Sequence, residues 1–320
     1  MAAAGIVFIC GIASFFLGLQ TTSFAFGKLF NRRLRKQLTA VTGNRLWQVF
    51  LLSVLFTGVV QSSSAVTVLG VCLVNAGVMN IADAVALTLG ANVGTTVTAQ
   101  LISLSLRESI VWLLVVGLGA IVISLVASAR RRQFFLAGLA VCGLGLLLTG
   151  FELLQTALQA LSRLAIFAAI LNWMRGGLFK SFAGGFLITA VVQSSSLVIA
   201  SIISLLRQGH FGLDVALYAM LGSNVGTSVT TLLAMVGGTK AGKAAALANL
   251  VFNLISVVLF LPFVGLLRLL VVTSSLDPGR QLANAHTFFN LLTALAVLPF
   301  VPWLAGVLLQ IAELFSPRAD

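Results

Sequence analysis

Long apolar stretches separated by short polar ones make up most of this chain. Those near Gly5 to Phe26, Ser109 to Ser128, Leu136 to Leu154, Ala244 to Leu267 and Thr287 to Ile311 approach or exceed the roughly 20 residues that carry a helix across the hydrocarbon of a bilayer. Two other stretches, 46–60 and 65–77, are too short to span and meet at a polar turn, which predicts a re-entrant helical hairpin. A further stretch, 81–104, carries glycine and asparagine near its middle and predicts a broken helix. The expected fold is an all-α polytopic membrane protein.

The same pattern occurs twice. Gln61-Ser62-Ser63-Ser64 returns 132 positions later as Gln193-Ser194-Ser195-Ser196, and Gly90-Ala91-Asn92-Val93-Gly94-Thr95-Thr96 returns at the same offset as Gly222-Ser223-Asn224-Val225-Gly226-Thr227-Ser228. Cys10, Gly11 and Gly18 match Cys142, Gly143 and Gly150 likewise. The repeats read as 1–132 and 133–264, followed at 265–320 by a loop, one more helix near 285–310 and a short tail. If the hairpin returns to the side it left, each unit crosses three times and the second is inverted relative to the first. Inverted repeats of broken helices are a recurring plan for secondary transporters, with binding sites near the midplane where the repeats meet.

Composition agrees with a membrane setting. Hydrophobic residues are 59% and charged residues 8% of the 320 positions, against about 45–50% and about 25% in soluble domains. The net charge of +12 would raise the question of nucleic acid in a soluble protein, but here the basic residues sit between apolar runs, as cytoplasmic loops do. Inversion puts Lys28, Arg32, Arg33, Arg35, Lys36, Arg45, Arg130, Arg131, Arg132, Lys240, Lys243 and Arg318 inside. It leaves Arg107, Arg163, Arg175, Lys180, Arg207, Arg268 and Arg280 outside. The expected protein is multi-pass in the cell membrane, N-terminus outside and C-terminus cytoplasmic, with the bilayer as its partner and no nucleic acid. Cys10, Cys72 and Cys142 lack metal-type spacing and read as small buried hydrophobes.

Three consecutive serines point to different sides of any helix, so packing of one face does not account for them all. The adjoining glutamine amide is costly in hydrocarbon without partners. Duplicated, the clusters read as a binding site. A break at each Gly-x-Asn-Val-Gly-Thr stretch would expose amide N–H groups suited to an anion and carbonyls suited to a cation, with Thr95, Thr96, Thr227 and Ser228 at helix starts. From Leu46 to Ser105 the only charged residue is Asp83, so no fixed cation neutralises a buried anion there. Cations bound with the anion would supply the charge. Asp83 and Asp214 read first as caps of the next helix, His286 as a packing histidine, and His210 as a residue facing water.

The paired Gln-Ser-Ser-Ser clusters, the paired Gly-x-Asn-Val-Gly-Thr stretches, Phe252-Asn253-Leu254 and His286-Thr287-Phe288-Phe289-Asn290 together resemble the type II sodium-phosphate cotransporter family across nearly the whole chain. The resemblance implies a Na⁺-coupled carrier of inorganic phosphate with Gln61 to Ser64 and Gln193 to Ser196 at its centre. Ala248-Asn249 departs from the family pattern, in which a histidine often precedes the Phe-Asn pair. The expected phosphate ligands are Gln61, Ser62, Ser63, Ser64, Gln193, Ser194, Ser195, Ser196, Thr95 and Thr227. Those for Na⁺ are Gln61, Ser64, Asn92, Thr95, Thr96, Gln193, Ser196, Asn224, Thr227 and Ser228. Na⁺ is the coupling ion; no other cofactor and no transition-metal site is expected, and a homo-oligomer stays open. The alternatives are another oxyanion, H⁺ as the coupling ion, or an ion channel. An enzyme is disfavoured, because the sequence has no nucleotide-binding glycine-lysine loop, metal-ligand cluster or Ser-His-Asp set in a plausible pocket.

The topology is testable by labelling. Cysteines introduced near Arg35 and Arg131 are expected to react with an impermeant reagent from the cytoplasmic side and one near Lys180 from the other; reaction of all three from one side would rule out inversion.

Overall fold

The computed structural model describes residues 2–41, 46–104, 109–126, 131–233, 235 and 239–314. Arg45, Arg107, Arg130 and Arg318, used above for topology, lie outside the described residues, as do the side chains of Arg32, Arg33, Arg35 and Lys36. The described secondary structure is helical throughout. A long α1 (Ala2–Val41) leads into a pair of short helices, α2 (Leu46–Val60) and α3 (Ser63–Asn75), followed by α4 (Ile81–Ser103) and α5 (Ser109–Val126). The order then recurs with α6 (Arg131–Leu161), α7 (Ala165–Arg175), the short pair α8 (Leu178–Val192) and α9 (Ser195–Arg207), and α10 (Leu213–Gly226) with its extension α11 (Ser228–Leu233). Last come α12 (Lys240–Phe260), α13 (Val264–Ser274), α14 (Pro278–Val297) and α15 (Val301–Leu314).

Five rods are long and apolar enough to cross a bilayer: Ala3–Phe26, Ile81–Ser103, Arg131–Leu161, Lys240–Ser274 and Pro278–Leu314. Large apolar side chains such as Ile9, Trp112, Val122, Phe179, Val258 and Trp303 lie exposed on the outside. An apolar surface of that extent suits lipid and not water. It also explains why Cys10 and Cys72 are exposed, against the expectation of burial, while Cys142 is buried: small apolar residues gain nothing from hiding when the solvent is itself apolar.

Both hairpins form. Their arms have 15 and 13 residues, about 22 and 20 Å at 1.5 Å per residue, short of the roughly 30 Å of hydrocarbon. The first arm of each lies parallel to the helix after the hairpin. Gly90 faces Phe50 and Ser53 while Gly94 faces Val54 and Thr57, and Gly222 and Gly226 meet Phe182, Phe186 and Thr189 in the same order.

These contacts correct one expectation. The Gly-x-Asn-Val-Gly-Thr stretches do not break their helices: α4 runs unbroken through Gly90 to Thr96, and α10 passes to α11 with only Thr227 between them, itself in a right-handed helical conformation. The glycines are there because a Cβ at Gly90 would run into the carbonyl of Phe50, and one at Gly222 into that of Phe182. They trade helix propensity for backbone-to-backbone approach.

α1 and α6 pack along their lengths and run antiparallel. Gly11 meets Leu154, Phe15 meets Gly150, Gly18 meets Leu147, and Thr22 reaches Ala140. The contact reproduces itself under exchange of the halves: Gly18 lies against Gly143, and their counterparts Gly150 and Gly11 lie against each other.

A second duplication, at an offset of 37, was missed in the sequence. Residues 240–274 and 277–311 share Gly242 and Gly279, Phe252-Asn253-Leu254 and Phe289-Asn290-Leu291, and Leu261-Pro262-Phe263-Val264 and Leu298-Pro299-Phe300-Val301. Each Leu-Pro-Phe forms one 3₁₀ turn inside an otherwise continuous rod. The expected lone helix near 285–310 is thus the partner of an earlier rod, and the division expected at 264 falls inside that earlier rod.

The base of each hairpin is tied to the start of one of these rods. Asn75 Oδ1 accepts from the Thr239 backbone N–H (3.0 Å) and hydroxyl (2.7 Å). Arg207, its counterpart 132 positions on, forms an ion pair with Asp277, the N-cap of α14, with Nε to Oδ1 at 2.9 Å, and donates to the Ser103 carbonyl. Burial works against the Asp277 carboxylate, but the Arg207 bond and charge and the N–H groups of Gly279 and Arg280 hold its pKa below the ordinary value. Asn80 is the N-cap of α4 and Asp83 lies in its first turn; Asp214, in the first turn of α10, pairs with Arg268 at 3.0 Å.

Gly222→Leu is expected to destabilise by about 1–3 kcal/mol or more, since an overpacked contact against backbone has nowhere to relax. Gly119→Leu, at a position with nothing within 4 Å, should leave thermal unfolding in detergent nearly unchanged.

Candidate functional site

Among the described residues only two that are not glycine have a positive φ, and they are the repeat-equivalent Gln61 and Gln193, each at 54°. Both follow the last residue of a hairpin's first arm, closing it through N–H bonds to Thr57 and Thr189 carbonyls at 2.6 and 2.7 Å. A left-handed residue is the ordinary way to end a helix sharply, and glycine is the ordinary choice, because a Cβ there costs about 1–2 kcal/mol. Glutamine at both turns keeps an amide at the tip despite that cost.

The next residue starts the second arm. Ser62 and Ser194 are extended N-caps whose oxygens accept from the N–H groups of Ala65 and Leu197 at 3.2 and 3.3 Å. Their hydroxyl hydrogens stay free to donate. Ser63 and Ser64, and Ser195 and Ser196, occupy the first turns of α3 and α9, where backbone N–H groups have no helical partner and attract an anion.

Tertiary structure brings the two tips together. One cavity of about 380 Å³ is walled by Gln61 to Ala65, by Gln193 to Ser196, by Thr95 of α4, and by Phe16, Leu19 and Gln20 of α1. No wall residue carries a formal charge. Gln61 is 4% exposed, and its Oε1 and the Thr95 hydroxyl are buried without a hydrogen-bond partner, whereas Gln193 is exposed.

The remaining expected ligands lie elsewhere. Asn92 donates to the Thr88 carbonyl and to Asn249 Oδ1 (3.4 Å). Asn249 donates to Thr231, and Asn253 to both Asn249 and Ser228, at 3.1–3.2 Å. In the other half His286 Nε2 meets Asn224 Oδ1 at 3.1 Å, Asn224 donates to Asn290, and Asn290 donates to the His286 carbonyl, closing a ring. His286 is therefore a buried packing residue, as read from the sequence. Thr96 and Thr227 bond back to the carbonyls of Val93 and Asn224, one turn before them. The helix starts that border the cavity thus belong to α3 and α9, while of Thr95, Thr96, Thr227 and Ser228 only Thr95 lines it. The partners Asn249 and Asn290 went unrecognised, although the 37-residue offset relates Asn249 to His286 and Asn253 to Asn290.

Of the flanking cations, Arg207 is engaged by Asp277, Arg175 bonds Asn172, and Lys180 is exposed. His210 is half-buried, against the expectation that it faces water, with its Nε2 at 3.2 Å from Gln208 Oε1. Burial, and then Arg175, lower its pKa.

Comparison with known proteins gives the following. The family described as Na+/Pi-cotransporter matches twice, over residues 14–156 and 146–299. A Bacillus subtilis (strain 168) protein named "Uncharacterized protein YqeW" is 33% identical over 72% of this chain and 73% of its own length. The Escherichia coli (strain K12) protein named "Putative inorganic phosphate export protein YjbB" is 28% identical over 75% of this chain and 43% of its own, so the match covers less than half of that relative. No solved structure matches the chain.

The turn geometry carries its own test. Gln193→Gly is expected to leave thermal unfolding unchanged or raise its midpoint, and Gln193→Ile to lower it, because a β-branched side chain is hardest to hold at positive φ.

Proposed function

This chain belongs to the Na+/Pi-cotransporter family, and we propose that it is a secondary active transporter carrying inorganic phosphate across the cell membrane together with Na⁺. The observation that carries the reading is the meeting of two left-handed glutamine turns around one uncharged cavity, each followed by a serine-bearing helix start.

Phosphate is held by N–H groups and hydroxyls of Ser62 to Ser64 and Ser194 to Ser196 and by the glutamine amides. Helix starts offer only partial charge, roughly half a unit each, and the cavity wall adds no cation. A multivalent anion there is left undercompensated, and desolvating it costs several kcal/mol. Na⁺ entering with it supplies the missing charge, and the unpartnered oxygens of Gln61 and Thr95 are where such an ion finds acceptors. Asn92, Asn224, Thr96, Thr227 and Ser228 we assign to holding the frame.

The antiparallel α1–α6 contact, which maps onto itself when the halves exchange, supports an inverted repeat with its axis in the membrane plane. The short hairpins, whose bases are tied to rod ends, support re-entry from opposite sides. That arrangement suits alternating access better than a continuous pore. Direction follows the combined gradients.

In proteoliposomes the protein should accumulate labelled phosphate in a Na⁺ gradient, and equal uptake in K⁺ without a pH gradient would reject Na⁺ coupling. Gln61→Ala and Gln193→Ala should each lower flux roughly 10- to 150-fold, the loss of one hydrogen bond to a charged ligand. Ser124→Ala is the control, since that hydroxyl bonds only back to Ile121 within α5, away from the cavity. Near-normal flux in both glutamine variants would remove the site assignment.

A further inference from the structure

Close glycine contacts join α5 and α6 along most of their length. A Cβ at Gly145 would meet Leu114, one at Gly117 would meet Cys142, and one at Gly138 would meet the Gly117 carbonyl and Ile121. Beyond Ile121 the small residues of α6 run out. Phe134 and Phe135 stand in the next turn, 40% and 41% exposed. At this end of the pair a cavity of about 390 Å³ opens, walled by Ser124 and Leu125 of α5 and by Arg131, Arg132 and Phe135 of α6.

The wall has two unlike parts. Leu125 and Phe135 are apolar and continue the outer face of α5, on which Val115, Val116, Val122 and Ile123 are each more than half exposed. α5 packs on α6 and on no other helix to a comparable extent, so that face borders lipid chains. Arg131 and Arg132 are exposed and form no ion pair with a carboxylate among the described residues. The sequence has no acidic residue between Glu108 and Glu152 to neutralise them. The Ser124 hydroxyl is spent on the Ile121 carbonyl and adds no ligand.

We infer that this cavity binds an anionic phospholipid, its phosphate held by the guanidinium groups of Arg131 and Arg132 and its chains lying along Leu125, Phe135 and the outer face of α5. A guanidinium fork matches two oxygens of a phosphodiester, where a point charge would not. Basic pockets between helices at the membrane surface recognise lipid headgroups in this way. Free inorganic phosphate would use the arginines but leave the apolar wall without a partner, whereas a lipid satisfies both parts at once. The larger hollow at the turn from α6 to α7, about 740 Å³, has Arg163 as its single charge and offers no such pair. The inference needs the membrane setting alone and stands apart from phosphate transport.

The test is native mass spectrometry of the whole chain in detergent, titrated with phosphatidylglycerol or with phosphatidylcholine. Phosphatidylglycerol should bind the more tightly, and Arg131→Gln combined with Arg132→Gln should weaken it roughly 25-fold, about fivefold for each arginine. Arg163→Gln should leave it unchanged. Leu125→Trp, which fills the cavity and keeps both charges, should also weaken it, and serves where the double variant fails to fold. Inorganic phosphate at millimolar concentration should not displace the lipid. Equal loss in Arg163→Gln would overturn the site in favour of diffuse charge attraction, and equal binding of phosphatidylcholine would overturn headgroup recognition. Displacement by inorganic phosphate would make it a free-anion site instead, and undiminished phosphatidylglycerol binding in the double variant or in Leu125→Trp would place the lipid elsewhere.

Discussion

A helix that ends inside a bilayer leaves backbone groups facing a medium that offers them no hydrogen bonds, and each hairpin of this chain joins two helix ends at its tip. Much of the remaining structure meets that constraint. The left-handed glutamines close the last turn of one arm, the serine caps satisfy part of the first turn of the next, and the amides left over face a cavity instead of lipid. Holding a strained turn at a fixed depth needs a rigid support, and α4 and α10 supply it through glycine contacts that bring backbone against backbone.

The asparagines illustrate the other response to the same constraint. An amide in the middle of an apolar helix reads equally well as a ligand or as a strut. Here the partners decide: Asn92 and Asn224 find Asn249, Asn290 and His286 on the two duplicated rods, and the belt of buried amides ties the helices that back the hairpins to the helices beyond them. The halves are not identical in this respect. The Thr189 hydroxyl donates to Ser223 at 2.8 Å, while the equivalent Thr57 faces a half with Ala91 in that place and stays without a partner.

An uncharged cavity between four helix ends has a consequence for energetics. Fixed positive charge would bind an anion more tightly but would release it poorly, and buried charge costs several kcal/mol whenever the site is empty. Helix starts carry only partial charge, and the serine caps already satisfy part of their N–H groups, so an empty site costs less. On the proposed reading, the cations that the wall lacks enter together with the substrate.

Fold class and duplication were legible in the sequence because both depend on local order: the length of apolar runs sets what can cross a bilayer, and identical clusters at one offset mark equivalent places in two halves. Gln61 to Ser64 and Gln193 to Ser196 stood out for the same reason, since a run of polar groups in apolar sequence needs partners wherever it folds. What those partners are is a long-range matter. A Gly-x-Asn-Val-Gly-Thr stretch has low helix propensity on any local scale, and only the neighbouring carbonyls of Phe50 and Phe182 show that its glycines are for close packing within an intact helix. Likewise Thr95 and Thr227 are equivalent in sequence, yet one lines the cavity and the other bonds back to Asn224. Local pattern determines which groups must be satisfied; the packing of distant segments decides by what, because the groups that satisfy them come from helices far away along the chain.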